Sequence, residues 1–358
     1  MSEPHFQGAC FFLDIGQGTS QVLYFGEGRG IVIDGGPSGE VPLLLLDRYV
    51  DTIHALIVSH NDADHHRGAF QILERFTGTL EDVYFLEDRP FDRIGLYELA
   101  ERRLRAGSIR RVIRLERSDR SHVLYEDPQK DLTLDLLYPE FLDNLAGREQ
   151  NDPNATSAVL ALHCGTSRVL FPGDSKIEAW RRIRRRLGGP VRCDVSAVPH
   201  HGGVVWDQVG EERDPGGDSP RGVTDQLRWL YREAIVCKYA IISTGTHNRY
   251  GHPRPEVVRA IREAGGRHSS VLCTQLTPNC CNKPLLEDFE SGIIPLNSLY
   301  ASYLDGIKRG KDLQSIACAG TVLVRIGPDC VAIDPLEQHQ ARITALQGIP
   351  DWHPLCRP

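Results

Sequence analysis

The 358-residue chain has no apolar run of membrane-crossing length. Leu43-Leu44-Leu45-Leu46 falls far short of the roughly 20 residues a spanning helix needs. The N-terminus, Met1-Ser2-Glu3-Pro4-His5, lacks a basic segment followed by an apolar one, so no secretory signal is read and a cytoplasmic protein without a membrane partner is expected. Excess positive charge is lacking too. Forty-one basic residues against 48 acidic ones leave a formal net charge of −7, which argues against general wrapping of nucleic acid but leaves room for a local basic groove. Arginine greatly outnumbers lysine, a bias we assign to genome composition rather than function. None of the ten cysteines forms a Cys-x-x-Cys pair, and without an export signal thiols or metal ligands are expected ahead of disulfides. No repeat of solenoid period is present.

What remains is a globular composition, 41% hydrophobic and 25% charged, long enough for one large or two ordinary domains. Short apolar runs between glycines and prolines predict strands at 9–14, 21–25, 30–34, 55–58, 83–86, 111–115, 122–125 and 132–138, with helices over 39–50 and 92–106. A second series predicts strands at 157–163, 168–171, 192–198, 239–243 and 270–274. Helices then run to about Leu187 and over 224–234 and 255–264, with a surface loop at 207–222. One more strand is read at 320–326. Two runs of mostly antiparallel strands, each followed by helices, predict an α+β protein of two packed sheets with helices outside and polar loops at one edge. Residues 1–275 are expected to form the main domain, and the less periodic 276–358 a C-terminal extension packed on it.

The densest polar stretch is Ser59-His60-Asn61-Asp62-Ala63-Asp64-His65-His66-Arg67-Gly68, a loop after the buried strand Ala55-Leu56-Ile57-Val58. Two imidazoles, His60 and His65, and two carboxylates, Asp62 and Asp64, at the end of a core strand are costly unless something binds them. A divalent metal pair compensates, and this donor chemistry suits zinc, manganese or iron. Asp174 ends the strand before Pro172-Gly173-Asp174-Ser175 and is placed to bridge two ions, although a helix N-cap is the commoner use of such a residue. His200-His201 follows another strand and precedes two glycines; one imidazole completes a metal shell and the other touches substrate. Asp34 is expected to orient a ligating histidine. Each of these residues has an ordinary structural use, but four strand-end polar sites in one chain outweigh the separate alternatives.

His60-x-Asp62-x-Asp64-His65 resembles the metal motif of the metallo-β-lactamase fold superfamily, in the variant with Asp where most members have a second His. Phe12-Leu13-Asp14-Ile15-Gly16-Gln17-Gly18, Ser59–His65, Gly173-Asp174, Pro199-His200-His201-Gly202 and Asn248-Arg249-Tyr250-Gly251-His252-Pro253 occur in the order seen in the hydrolase domain of ComEC-type competence proteins. The similarity covers about residues 8–275. It implies an αββα four-layer sandwich, two divalent metal ions and phosphodiester hydrolysis on DNA. It implies His60, Asp62, Asp64, His65, Asp174 and His200 or His201 as ligands, and His252 as a substrate or proton-transfer residue. This chain departs from that family at Thr19, where an acidic residue is usual. It departs again at Asn151-Asp152-Pro153-Asn154 with Ser157, where a paired Asn is usual. The membrane-channel part lies outside the similarity, so a transport role is not carried over.

The expected reaction is attack on phosphorus by metal-activated water, with both ions stabilising the developing charge. Asp62 in place of an imidazole makes the site harder and moves it from zinc toward manganese or magnesium. Asp64, His252 and His247 are the candidate catalytic residues, a protonated His247 or His252 assisting the leaving oxygen. His201, Asn248, Ser157 and Asp34 are candidates for positioning ligands or substrate. Arg181, Arg182, Arg184, Arg185 and Arg186 face outward on one helix, and either track a nucleic-acid backbone or form a solvated face. Cys273, Cys280, Cys281 and Cys318, with His268, either hold a structural zinc or are buried free thiols. A nuclease or phosphodiesterase acting on nucleic acid is the leading reading. A hydrolase of small or cyclic nucleotides is the first rival, and a catalytically silent, metal-stabilised module of a multi-protein defence system the second.

Overall fold

A computed structural model of the protein describes residues 5–86, 94–118, 122–150, 152–206, 222–265, 270–291 and 316–356. Period-two alternation sorts the side chains of each strand onto two faces. In β1 (Gly8–Phe12), Cys10 and Phe12 enter one hydrophobic cluster while Phe11 and the following Leu13 enter another. Further along, Leu160 and Leu162 of β9 (Val159–Cys164) join the cluster of Cys10 and Phe12, whereas Val159 and Ala161 join a third. The shared cluster is therefore the sheet-to-sheet core, crossed by the stacked Phe12 and Phe171 rings 5.7 Å apart.

The first sheet has the order β15 (Val331–Asp334), β14 (Val322–Ile326), β1, β2 (Gln21–Tyr24), β3 (Arg29–Ile33), β4 (Thr52–Ile57), β5 (Thr79–Phe85), β6 (Arg111–Arg114). The second runs β13 (Ser270–Cys273), β12 (Ile235–Ile242), β11 (Val191–Ala197), β10 (Ser167–Phe171), β9, β8 (Leu132–Tyr138), β7 (Val123–Asp127). Helices α1 (Glu40–Tyr49), α2 (Ala63–Arg75) and α3 (Ile94–Arg105) bury their apolar faces on the outside of the first sheet. After α4 (Phe141–Gln150), helices α5 (Ile177–Leu187), α6 (Val223–Trp229) and α7 (Pro255–Gly265) cover the second, joined by α8 (Lys283–Glu290) and α9 (Leu336–Ala345). Three clusters separate four layers, which makes the fold an αββα sandwich.

One expectation is narrowed and another corrected. The antiparallel majority is only seven described strand pairs to six, because β3 to β6 pair in parallel, as do β10 to β13, where helical crossovers connect them. The polar stretch after β4 is not a loop throughout. Asp62 is the N-cap of α2, and Ala69, Ile72 and Leu73 bury that helix, so Asp64 and His65 sit in its first turn. Its approach is backbone on backbone: a Cβ on Gly68 would lie 1.9 Å from the Gly35 carbonyl oxygen, so only glycine fits. Residues 316–356 supply β14 and β15, and β14 pairs with β1 in the first sheet.

Candidate metal centre

The parallel strands of both sheets end at one rim, where open α/β sheets place their ligands. β3 runs into Asp34, β4 into Ser59 and His60, β10 into Asp174, β11 into His200 and His201, and β12 into Ser243. Asp174 is the meeting point. Its Oδ2 lies 3.6 Å from His60 Nε2 and 3.8 Å from His200 Nε2, and Asp62 Oδ2 is 3.7 Å from the same His60 nitrogen. Its Oδ1 lies 3.2 Å from His65 Nε2 and 3.7 Å from His201 Nε2. His201 Nε2 is in turn 3.3 Å from His65 Nε2 and 3.5 Å from Asp64 Oδ2. One carboxylate thus divides six other side chains into two sets of three.

Donors sharing an ion at about 2.0–2.2 Å in a tetrahedral shell sit roughly 3.3–3.6 Å from each other, close to the separations found here. Two of the atoms involved, His60 Nε2 and Asp174 Oδ1, are buried without any hydrogen-bond partner. A cation in each set would satisfy both, so the residues fit divalent ions. Nitrogen and carboxylate donors without thiolate suit zinc, manganese or iron.

The imidazoles are aimed by contacts on their other nitrogen. Asp34, fully buried, accepts from His65 Nδ1 at 2.7 Å, from the Ser59 hydroxyl at 2.6 Å and from the Ser59 amide at 2.7 Å. His60 Nδ1 lies 3.2 Å and 3.3 Å from the hydroxyls of Ser59 and Ser157, and Ser157 also accepts the Asp174 amide at 2.8 Å. His200 and His201 donate from Nδ1 to the carbonyls of Val204 and Ser243, both at 2.9 Å. Such contacts fix the tautomer with Nε2 free for a metal. Both histidines, like Asp34, adopt left-handed backbone conformations, with φ of 52°, 54° and 58°. For an ordinary residue this costs about 1–2 kcal/mol each, strain of the kind held at functional sites.

Charge follows geometry. Burial alone would raise the Asp174 carboxyl, but His65, His201, His60 and His200 together hold it well below the usual range. Burial would likewise raise the Asp64 carboxyl, but His201 and His65 outweigh it and hold that group below its ordinary value. His65 and His201 are both lifted above 6.5 despite burial, chiefly by Asp174. His252 moves the other way: burial first, then the charges of His200 and His201, bring it down to about 4. It is neutral at pH 7, which corrects the expectation of a protonated His252; cations in the metal sets would act in the same direction.

Of the two adjacent histidines, both face Asp174. His201 is the buried one, placed among the donors rather than toward substrate alone, and His200 flanks the mouth. A cavity of about 290 Å³ opens on the donors, lined by Gln17, Asp62, Asp64, Asp174, His200, His201, Tyr250 and His252. Asn248 holds the loop that carries His252, accepting its amide at 2.8 Å and donating to its carbonyl at 2.8 Å. The structure does not bring His247 to this cavity. The turn that Asn248 closes onto Gly245 leaves that side chain exposed outside. Gln17 and Tyr250 line the cavity although only their motifs, not their roles, were legible. The Arg181–Arg186 face is largely neutralised, with Arg181, Arg182, Arg184 and Arg186 paired to Glu178, Asp143, Glu233 and Glu140. Among the cysteines, Cys318 is joined by His339 and Cys356 rather than by Cys281, which pairs by backbone with Trp352. His268 lies outside the described residues.

Fold and donors together define a protein of the metallo-hydrolase type. The sequence matches the profile described as the Metallo-beta-lactamase superfamily over residues 14–245, and the chain belongs to that superfamily. It is 25% identical over 283 residues to ComE operon protein 3 of Bacillus subtilis, a match covering 74% of this chain and 31% of that protein, so the chain spans about a third of that relative's length. Similar solved structures include the metallo-beta-lactamase fold protein YhfI from Bacillus subtilis, 12% identical with a TM-score of 0.43, covering 75% of this chain and 96% of that one. Another is Igni18, a metallo hydrolase from Ignicoccus hospitalis, 14% identical with a TM-score of 0.41, covering 74% and 94%. No helix among the described residues is long and apolar enough to cross a membrane.

Proposed function

We propose that the protein is a dinuclear metal-dependent phosphodiesterase that cleaves nucleic acid, with DNA the first substrate to test. His60, Asp62, His200 and Asp174 would hold one ion, and Asp64, His65, His201 and Asp174 the other, as zinc or manganese; four imidazoles make magnesium the weaker candidate. Bound there, the ions would supply a lowered pKa for water and charge to offset that developing at phosphorus. The chain's own residues do the rest. Asp34 keeps His65 aligned, and the Ser243 carbonyl does the same for His201. Neutral His252 can accept a proton or donate a neutral N–H to a phosphoryl oxygen, but it does not serve as a charged acid.

The observation that favours a nucleotide-bearing substrate is at the lip. Tyr250 is 52% exposed, its ring parallel to His252 at 5.7 Å, with the Arg249 guanidinium 5.4 Å from its centroid. An exposed ring beside a cation, directly over a metal cavity, supports base stacking with phosphate contact.

Purified protein with manganese, zinc or magnesium should be incubated with labelled single- and double-stranded DNA, RNA and cyclic dinucleotides. Metal-dependent cleavage lost in His60→Ala and Asp174→Ala supports the proposal. Cleavage of cyclic dinucleotides alone reassigns the substrate to small nucleotides. Equal behaviour of wild type and both variants on every substrate overturns hydrolysis and leaves the interaction module.

A further inference from the structure

Away from the rim, five residues with metal-ligating chemistry meet beneath α9. Cys318 Sγ lies 3.3 Å and Cys356 Sγ 3.6 Å from His339 Nε2, and one ligand atom from each of the three falls within 4.8 Å of the others. A zinc ion bound at about 2.3 Å to sulfur and 2.0–2.1 Å to nitrogen sets S···N edges near 3.6 Å in a tetrahedron. The three residues are 2%, 3% and 6% exposed, and none of the cysteines is in a disulfide. Cys273 and Cys280, also buried, are near enough to interact electrostatically with Cys356.

We propose that Cys318, His339 and Cys356 bind a structural zinc ion whose fourth ligand is a thiolate from Cys273 or Cys280. Soft thiolates with one imidazole select zinc over harder ions such as manganese and magnesium. The ligands come from segments distant in sequence. Cys318 precedes β14, His339 lies on α9, Cys356 is in the last described turn and Cys273 ends β13. Closing them on one ion clips the C-terminal segment to the second sheet. The same segment supports the rim: the Cys318 and Ala319 amides donate to the Thr274 and Cys273 carbonyls at 2.9 and 2.8 Å, and the Ile316 amide donates to the Thr246 hydroxyl at 3.1 Å. Thr246 sits in the loop that leads to His252.

The full chain, expressed with zinc and dialysed against chelator to empty the open rim, should retain about one zinc, released by an organomercurial as thiols react. Cys356→Ser and His339→Ala should each lower the retained zinc at least tenfold, and Cys281→Ser should leave it. Whichever of Cys273→Ser and Cys280→Ser loses zinc identifies the fourth ligand. Cobalt-loaded wild type should show thiolate-to-cobalt charge transfer, which the nitrogen and oxygen donors around Asp174 cannot produce. That spectrum decides the matter if the variants do not fold, and none of these readouts depends on hydrolysis. Dialysed wild type without zinc and without the cobalt band, whether its thiols titrate free or two are found as a Cys318–Cys356 disulfide, overturns the proposal.

Discussion

Asp34→Asn separates the electrostatics of the rim from its backbone. Asp34 has a left-handed φ of 58° and no exposed surface. Asparagine tolerates that conformation, so the substitution changes one atom's chemistry without the strain that alanine would add. In the native site, Oδ2 accepts from both the Ser59 hydroxyl and His65 Nδ1, while Oδ1 accepts the Ser59 amide. With the amide contact kept, the new NH2 group points at two partners that are themselves donating. His65 must then carry its proton on Nε2, the atom 3.2 Å from Asp174 and 3.3 Å from His201, and that atom can no longer bind metal. Loss of such an orienting contact weakens metal binding about 10- to 100-fold, or roughly 1.4–2.7 kcal/mol. Competition with a chromophoric chelator measures the affinity, and thermal unfolding of the metal-free form confirms the fold. Affinity within about twofold of wild type would refute the claim that Asp34 sets the His65 tautomer.

The other predictions use different readouts. Metal affinity should rise with pH beyond about 6.5, because the raised His65 and His201 hold protons that metal must displace. Calorimetry at pH 7 in buffers of unequal ionisation enthalpy should register proton release, and its absence contradicts the assignment. Raised folded-state values also stabilise the metal-free protein fully only below the unfolded value, so its melting temperature should fall as pH climbs through the folded ones. Gly203→Ala would set a Cβ 2.3 Å from His252 Cε1, displacing that ring. Turnover should drop about 100-fold while metal stoichiometry is kept. Tyr250→Ala should raise KM for a nucleic-acid strand by about 5- to 150-fold and leave kcat for a small unstacked phosphodiester unchanged, which a steady-state comparison of the two substrates checks.

Much of the rim was legible in the sequence because a strand end advertises itself: an apolar run stops, and His, Asp or Gly follows. His60, Asp62, Asp64 and His65 stood out on that signal, whereas Asp174, whose commoner use is a helix N-cap, became a candidate only in company with the other strand ends. The choice between His200 and His201 could not be made, since adjacent residues share every sequence cue. Two consecutive left-handed residues let both imidazoles face Asp174. The start of α2 was hidden for a related reason: its first turn carries the polar Asp64, His65 and His66, and the apolar stripe that marks a helix begins only at Ala69. The partners of Cys318 were out of reach for another. His339 and Cys356 stand alone in sequence, and only β14 pairing with β1 carries the C-terminal segment back across the fold.

That distribution of ligands ties metal affinity to the sandwich as a whole. The first sheet delivers His60, Asp62, Asp64 and His65; the second delivers Asp174, His200 and His201; no short segment owns a complete set. The two groups are held in register by the core between the sheets, where Phe12 stacks on Phe171 two residues before Gly173. The unfolded chain therefore cannot preassemble the site, and metal at 100 times its dissociation constant should stabilise the fold by about 2.7 kcal/mol. The converse also follows. A cavity cut into the inter-sheet core at Phe171, far from any donor atom by chemistry but next to Asp174 by connection, loosens the one carboxylate both sets share. Phe171→Ala should therefore weaken metal binding as well as stability, whereas a cavity of similar size under α3, on the outer face of the first sheet, should lower stability alone.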